Sequence, residues 1–319
     1  MAERALSGMA KSHQLDDSSV HREWNNAIAP RLEIEPGDTV VFDTRDAADR
    51  YYTPESTHAD VLARGPFRGH PLTGPVRVRG ARPGDTLVVE ILDVRPAAPF
   101  GWTAIRRGRG LLPEADFPKP YLQIWDLSDG EFARRPGVAV PIEAFAGVMG
   151  VALAEPGGHS TMPPRRNGGN MDIKQLVTGT TLFLPVLVDG ALFSTGDTHA
   201  AQGDGEVCVT AVEMCGHVTL RFDLQHGRAL PEPQLRTSAP LLPASSRGPC
   251  FATTAHGPDL FAAAQQAVRY MIDHLVARRG LSREEAYIVS SVAVDLKISE
   301  IVDAPNWIVS AFLPETIFA

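Results

Sequence analysis

Val218-Thr219-Leu220-Arg221-Phe222-Asp223-Leu224-Gln225 alternates apolar and polar side chains without a break. Successive side chains on an extended chain point to opposite faces, so a period of two gives a strand with one face buried. Two turn-then-strand units lie upstream, Glu35-Pro36-Gly37-Asp38-Thr39-Val40-Val41-Phe42 and Arg82-Pro83-Gly84-Asp85-Thr86-Leu87-Val88-Val89. In each, Pro presets the turn, Gly admits positive φ and a strand-forming run follows. This weak repeat points to β architecture and carries no chemistry of its own. Two hairpins are predicted beside it. One joins 181–188 to 191–195 across Asp189-Gly190, and the other joins 207–214 to the alternating strand near Cys215-Gly216.

Helical periodicity is confined to the last third. Phe261, Ala264, Val268, Met271, Ile272 and Leu275 recur at helical spacing, between Pro258 and Gly280. Ser282-x-x-Glu285 then reads as a capping box for a second helix through about Asp295. Strands followed by a helix pair exclude alternating βαβ units and predict a largely β fold with an α+β appendage. Three parts are expected: a polar segment at 1–20, a β-rich domain at 21–225 carrying the chemistry, and a connector with the α+β part at 226–319. Residues 95–141, rich in Pro, Gly and Arg, read as long loops and short edge strands that supply a lid or specificity segment.

Several function classes drop out. The chain of 319 residues has a formal charge of −8 with its Lys and Arg scattered, so no nucleic-acid footprint is present. Three cysteines, Cys208, Cys215 and Cys250, form no CxxC pair. The first residues lack the apolar core of a signal peptide, and no apolar run approaches the ~18–20 residues that span a bilayer. A cytoplasmic protein with no membrane partner is expected. G-x-S-x-G, S-x-x-K, H-E-x-x-H, the P-loop and G-x-G-x-x-G are all missing, which argues against the common serine hydrolases, zincins, nucleotide enzymes and Rossmann oxidoreductases.

Chemistry-bearing residues concentrate between 168 and 213. Gly168-Gly169-Asn170-Met171-Asp172-Ile173-Lys174 and Gly196-Asp197-Thr198-His199-Ala200-Ala201-Gln202-Gly203-Asp204-Gly205-Glu206 flank the first predicted hairpin, and Glu213 follows one strand later. Asp197 and His199 share a side if that stretch is extended. With Asp172 arriving from across the hairpin, they form the oxygen and nitrogen ligand set of a catalytic zinc or related divalent ion. Taken singly, the same residues have plainer readings: Asp204-Gly205 is a turn, Lys174 a surface charge, and Glu213 a solvated strand residue. Gathering so many charges in two adjacent loops has an electrostatic cost that solubility does not demand, and this favours a site. His70, in the constrained His70-Pro71-Leu72-Thr73-Gly74-Pro75, divides evenly between lining that site and structure. His21 reads as structural with a ligand role open, and His217, His226, His256 and His274 read as turn or helix-surface residues.

Gly168-Gly169-Asn170-Met171-Asp172, Gly179-Thr180-Thr181-Leu182-Phe183-Leu184-Pro185-Val186 and Gly196-Asp197-x-His199-Ala200-x-Gln202-Gly203-Asp204-Gly205-Glu206-Val207-Cys208 resemble the acetamidase/formamidase family. Segments around His70–Pro75, Gly80–Asp85 and 290–305 extend the likeness over nearly the whole chain after residue 20. The resemblance implies a mainly β (β-sandwich-like) fold with an α+β C-terminal part. It also implies hydrolysis of small amides of the formamide or acetamide type to a carboxylate and ammonia, in a homo-oligomer. On this reading Asp172, Asp197 and His199 hold the divalent ion, Zn2+ foremost with Ca2+ or another divalent ion open. Glu206 is the general base that later protonates the amine, Lys174 stabilises the oxyanion or holds Glu206 charged, and Glu213 joins the catalytic set. Asn170 and His70 bind substrate. Two alternatives stay open: an amidase using Cys208 as nucleophile beside Glu206 and Lys174, and a non-catalytic small-molecule or metal-binding β-sandwich.

Overall fold

The alternating stretch lies inside the strand Gly216–Gln225, in the interior of a six-stranded sheet. Val218, Leu220 and Phe222 are buried while Arg221 and Asp223 face out, as a period of two requires. Both turn-then-strand units flank it antiparallel, as Thr39–Thr44 on one side and Thr86–Pro96 on the other. Thr181–Pro185 and Gln234–Arg236 continue the sheet beyond Thr86–Pro96. The computed structural model describes residues 10–238 and 248–318. Of the polar first segment, Ser12–Leu15 is a strand docked parallel on Thr39–Thr44.

A second, ten-stranded sheet includes Phe100–Ile105, Glu213–Met214, Phe193–His199, Phe145–Gly150 and Gly168–Asn170 in that order of pairing. The two sheets share one core. Phe42 and Phe222 of the first meet Phe193 of the second edge-on at 6.0 and 5.0 Å between ring centroids, contacts worth about 0.5–1.5 kcal/mol each beyond area burial. This is the expected β-sandwich arrangement.

The C-terminal part is α+β. Helices α2 (Leu260–Arg279) and α3 (Arg283–Ala293) pack with a three-stranded sheet, Cys250–Gly257, Trp307–Pro314 and Asp295–Glu300. Ala263, Ala267, Val268, Met271, Ile272 and Leu275 form the buried stripe of α2, and Gly280 closes it in the left-handed conformation at φ 67°. Ser282 and Glu285 make the capping box, with bonds of 3.1 and 2.8 Å.

Several expectations are corrected. The predicted 181–195 hairpin does not form: Thr181–Pro185 pairs with Thr86–Pro96 in one sheet, whereas Phe193–His199 lies in the other. Both runs are apolar on both faces, so the turn signal marked a reversal that carries the chain between layers. Ala191 and Leu192 at φ 59° and 57° make that crossing. Nor does 207–214 pair with the alternating strand. Only Glu213–Met214 is extended there, and it pairs with Phe193–His199 and Phe100–Ile105. A short helix, α1 (His58–Ala63), stands in the first half, where none was expected. Phe261 sits on the exposed side of α2, and α3 stops at Ala293 because Asp295 begins a strand. The 95–141 stretch is more regular than predicted, with Phe100–Ile105 and Tyr121–Asp126 paired along their length. The expected connector contributes two strands, Gln234–Arg236 and Cys250–Gly257, and its 239–247 portion lies outside the described residues. Among the described residues no helix is long and apolar enough to cross a membrane.

Candidate active site

Two paired strands, and a third separated from them by one more, bring the polar residues together. His199 ends Phe193–His199, opposite Phe145 on one side and Glu213 on the other. Asp172 follows Gly168–Asn170, on the far side of Phe145–Gly150, and must reach across that strand. Gly147 lets it do so: a Cβ there would lie 2.6 Å from Asp172 Oδ1 and 2.8 Å from His199 Cε1. The Gly147 carbonyl also accepts from the Asp172 backbone N–H at 3.3 Å. A Gly147→Ala variant is therefore expected to fold but to push these two groups apart. Displacements near 1 Å cost about 10²-fold in rate. Steady-state kinetics beside circular dichroism checks this, and an unchanged rate would show that the close approach does not matter.

His199 is oriented by a defined chain of bonds. Gln202 Nε2 donates to the Asp172 carbonyl at 2.7 Å, so its Oε1 must face His199 Nδ1 at 2.9 Å and accept from it. That leaves Nε2 aimed at carboxylates, 3.4 Å from Glu213 Oε2 and 3.6 Å from Asp197 Oδ1. His199 Nε2, Asp172 Oδ1, Asp197 Oδ1 and Glu213 Oε2 are all buried without a hydrogen-bond partner among the described residues. Such orphaned buried atoms are costly unless a proton or cation joins them. Two overlapping triads, Asp172/Asp197/His199 and His199/Glu206/Glu213, each have their ligand atoms within 4.8 Å of one another.

Crowding of charge shows in the acidities. Burial pushes Asp172 up to about 7, with Asp197 and Glu213 adding to the effect and His199 opposing it. Burial likewise raises Glu213 to about 7. Burial and then the Asp172 charge hold Glu206 well above the usual glutamate value. Burial works to raise Asp197 too, but His70 and His199 more than offset it and leave its carboxyl low. For His199, burial is outweighed by Glu213 and Asp197, so the imidazole is held well above its ordinary value. A divalent cation among these groups would take over the role of the protons. Asp172, Asp197 and Glu206 also sit at positive φ, 48°, 57° and 43°. Such backbone costs on the order of 1–3 kcal/mol per residue and concentrates at functional sites.

Most residues singled out in the sequence meet here. His70, Asn170, Asp172, Asp197, Glu206 and Glu213 line one cavity of about 280 Å³, with His199 behind them. His70 Nδ1 lies 3.0 Å from Thr161 Oγ1, and its Nε2 lies 3.6 Å from Asp197 Oδ2. Asn170 Nδ2 donates to the Met162 carbonyl at 3.1 Å, while its buried Oδ1 has no partner among the described residues. Lys174 lies elsewhere. Its ammonium is buried against Asp295, which also accepts from the Asp204 N–H at 3.1 Å. Lys174→Met would take the cation away from that buried carboxylate, and a loss of about 3–5 kcal/mol in stability is expected from denaturant melts. A variant as stable as wild type would mean that the pair is dispensable.

Cys208 is also outside the cavity, in the hydrophobic core with Sγ 3.4 Å from Thr210 Oγ1, and burial pushes its thiol up to about 11. A thiol so placed is a poor nucleophile. Both ring nitrogens of His21 are engaged away from the cavity, with the Glu23 carbonyl and Ser194 Oγ, each at 2.8 Å. The sequence reading overlooked Gln202, Thr161, Gly147 and the cavity walls Phe67, Trp102 and Arg106. Gln202 stood inside the quoted motif, but nothing in the sequence marked Gly147 or Trp102 as site residues.

The chain is similar in sequence and fold to known proteins. Residues 8–156 and 153–319 match the Acetamidase/Formamidase family. A formamidase of Methylophilus methylotrophus is 29% identical over an alignment spanning 95% of this chain and 90% of that one. An acetamidase of Mycolicibacterium smegmatis is 29% identical over 68% of this chain and 69% of its own. Among solved structures, a gamma lactamase from Delftia acidovorans superposes with a TM-score of 0.87 at 28% identity, covering 97% of this chain and 93% of that one. An acetamidase from Bacillus halodurans gives 0.66 at 34% identity, covering 94% and 96%. Matched along essentially its whole length, this chain belongs to the acetamidase/formamidase family and is an amidase.

Proposed function

We propose that the chain hydrolyses small aliphatic amides of the formamide or acetamide type to a carboxylate and ammonia, with a water activated by a divalent ion. The observation that carries this reading is the buried set of orphaned atoms on Asp172, Asp197, His199 and Glu213. Asp172, Asp197 and His199 would hold the ion, and Glu213 is close enough to His199 to share in it. Three oxygens and one imidazole nitrogen favour zinc, with calcium or another divalent ion as the alternative. When bound, such an ion lowers the pKa of water from 15.7 toward about 7.

The remaining work falls to the chain's own groups. Glu206 faces the cavity and takes a proton from the attacking water as its oxygen joins the amide carbon. It returns that proton to the nitrogen as the C–N bond breaks and ammonia leaves. Asn170 Oδ1 accepts from the substrate N–H, which supplies its missing partner. Thr161 Oγ1 accepts from the His70 backbone N–H at 2.8 Å and can donate to Nδ1. His70 Nε2–H is then left toward the cavity, where it stabilises the developing oxyanion. This role passes to His70 because the Lys174 ammonium is paired with Asp295. A cytoplasmic setting and a homo-oligomer are also proposed, the association alone being supported by the exposed Ile298, Ile301 and Val302 of the C-terminal part.

Ammonia release from formamide, acetamide, propionamide, urea and formylated amines tests the reading. Release from short amides is expected. Release from none of them by ion-loaded, folded protein would favour a binding module instead.

A further inference from the structure

The cavity wall also carries cations. Arg106, Arg107 and Arg109 line it together with the carboxylates, and Phe67, Trp102 and Pro120 add apolar surface. The strand Phe100–Ile105 sets the spacing between the two charges. Trp102 pairs with Glu213, and Arg106 follows four residues later, roughly 13 Å along an extended chain. Less the reach of an arginine side chain, this leaves a gap of a few carbon atoms. Formamide and acetamide would fill only part of the 280 Å³ available.

Arg106 differs from its neighbours. Arg107 is exposed and paired with Glu114. Arg106 is half-buried and has no ion pair among the described residues. Burial is the main influence lowering its pKa and the Arg64 charge adds to it, while Tyr52 and Glu213 act the other way. Arg64 Nη2 donates to the Ala47 carbonyl at 2.7 Å, but its buried Nη1 has no partner among the described residues. A half-buried guanidinium near another with an unpartnered N–H is suited to receive an anion.

We propose that Arg106 receives a carboxylate on the acyl chain, so that the favoured substrates are monoamides of short dicarboxylic acids. This rests on the amidase reading above and names its substrate class. Even with a divalent ion among them, the four carboxylates leave that part of the cavity net negative and repel a second anion, so the substrate carboxylate lies toward Arg106 and the neutral amide toward Asp172 and Glu213. Charge thereby sets orientation as well as affinity. The reaction is unchanged in its bonds: water adds to the amide carbon, the C–N bond breaks, ammonia leaves, and a dicarboxylate remains.

Succinamate and succinamide test this, because they are nearly isosteric and differ in one terminal charge. The ratio of kcat/KM for succinamate over succinamide is expected to exceed tenfold in the wild type. It should fall to about one in Arg106→Gln and recover in part in Arg106→Lys, which restores charge without the planar fork. A wild-type ratio at or below one, or a ratio unchanged in Arg106→Gln, overturns the proposal. Calorimetric titration of both compounds into Glu206→Gln protein, with Arg106 intact or replaced by Gln, separates this claim from the amidase reading. Selective, Arg106-dependent binding with no ammonia released from any amide by the wild type would leave the anion site standing and remove the amidase chemistry. Ammonia from acetamide with no preference between the pair in turnover or binding would do the reverse.

Discussion

Glu206→Gln is expected to lower ammonia release from acetamide by about 10²–10⁴, the range for losing a general acid–base group. The substitution keeps the shape of the side chain and removes its ability to exchange a proton. Glu206 is well placed for that exchange. It lines the cavity, follows the Gly203–Glu206 turn closed by a 3.1 Å backbone bond, and sits at φ 43°. Burial and the Asp172 charge hold its proton more firmly than an ordinary glutamate would, which suits a group that must give the proton back to a leaving amine. Stability should change little, since the glutamine can occupy the same space. Measured on ion-loaded protein with circular dichroism to confirm folding, a loss below tenfold would mean that Glu206 is structural and that Glu213 or a water carries the proton.

His199→Ala should lose bound divalent ion and activity together, whereas His274→Ala should lose neither. The imidazole is the one nitrogen donor among the clustered oxygens, and the Gln202 bond to Nδ1 fixes Nε2 as the atom that faces them. His274 lies on α2 with its ring stacked on Phe251, 3.6 Å between centroids, and far from the ligand set in its contacts. Both substitutions remove the same ring, so the pair controls for generic histidine loss. Elemental analysis of the two purified variants decides it. Full ion content in the His199 variant would make the proposed ligand set wrong and leave the imidazole to act on substrate directly.

What the sequence made legible was local. The period-two stretch at 218–225, the two Pro-Gly-Asp turns and the Ser282–Glu285 box each encode structure within a few residues, and each appears as read. Asp172, Asp197, His199, Glu206 and Glu213 were legible because unusual charge density shows in the chain before it shows in space. The losses were in pairing. Nothing in 181–195 says whether its two apolar runs face each other or belong to different layers, because that depends on partners such as Thr86–Pro96 about a hundred residues away. Lys174 illustrates the same limit. It stands two residues from Asp172 in the chain, yet its ammonium meets Asp295 from the C-terminal sheet. Gly147 carries its meaning only once Asp172 and His199 crowd against it.

Dependence of the rate on a divalent ion is the central claim. Ammonia release from formamide and acetamide, followed before chelation, after dialysis against chelator and after zinc is restored, tests it most directly when bound ion is counted by elemental analysis at each stage. Activity is expected to fall with the measured ion content and to return with it. Full activity in protein shown to have lost its ion would contradict the claim and return the attacking water to Glu206 and His199 alone.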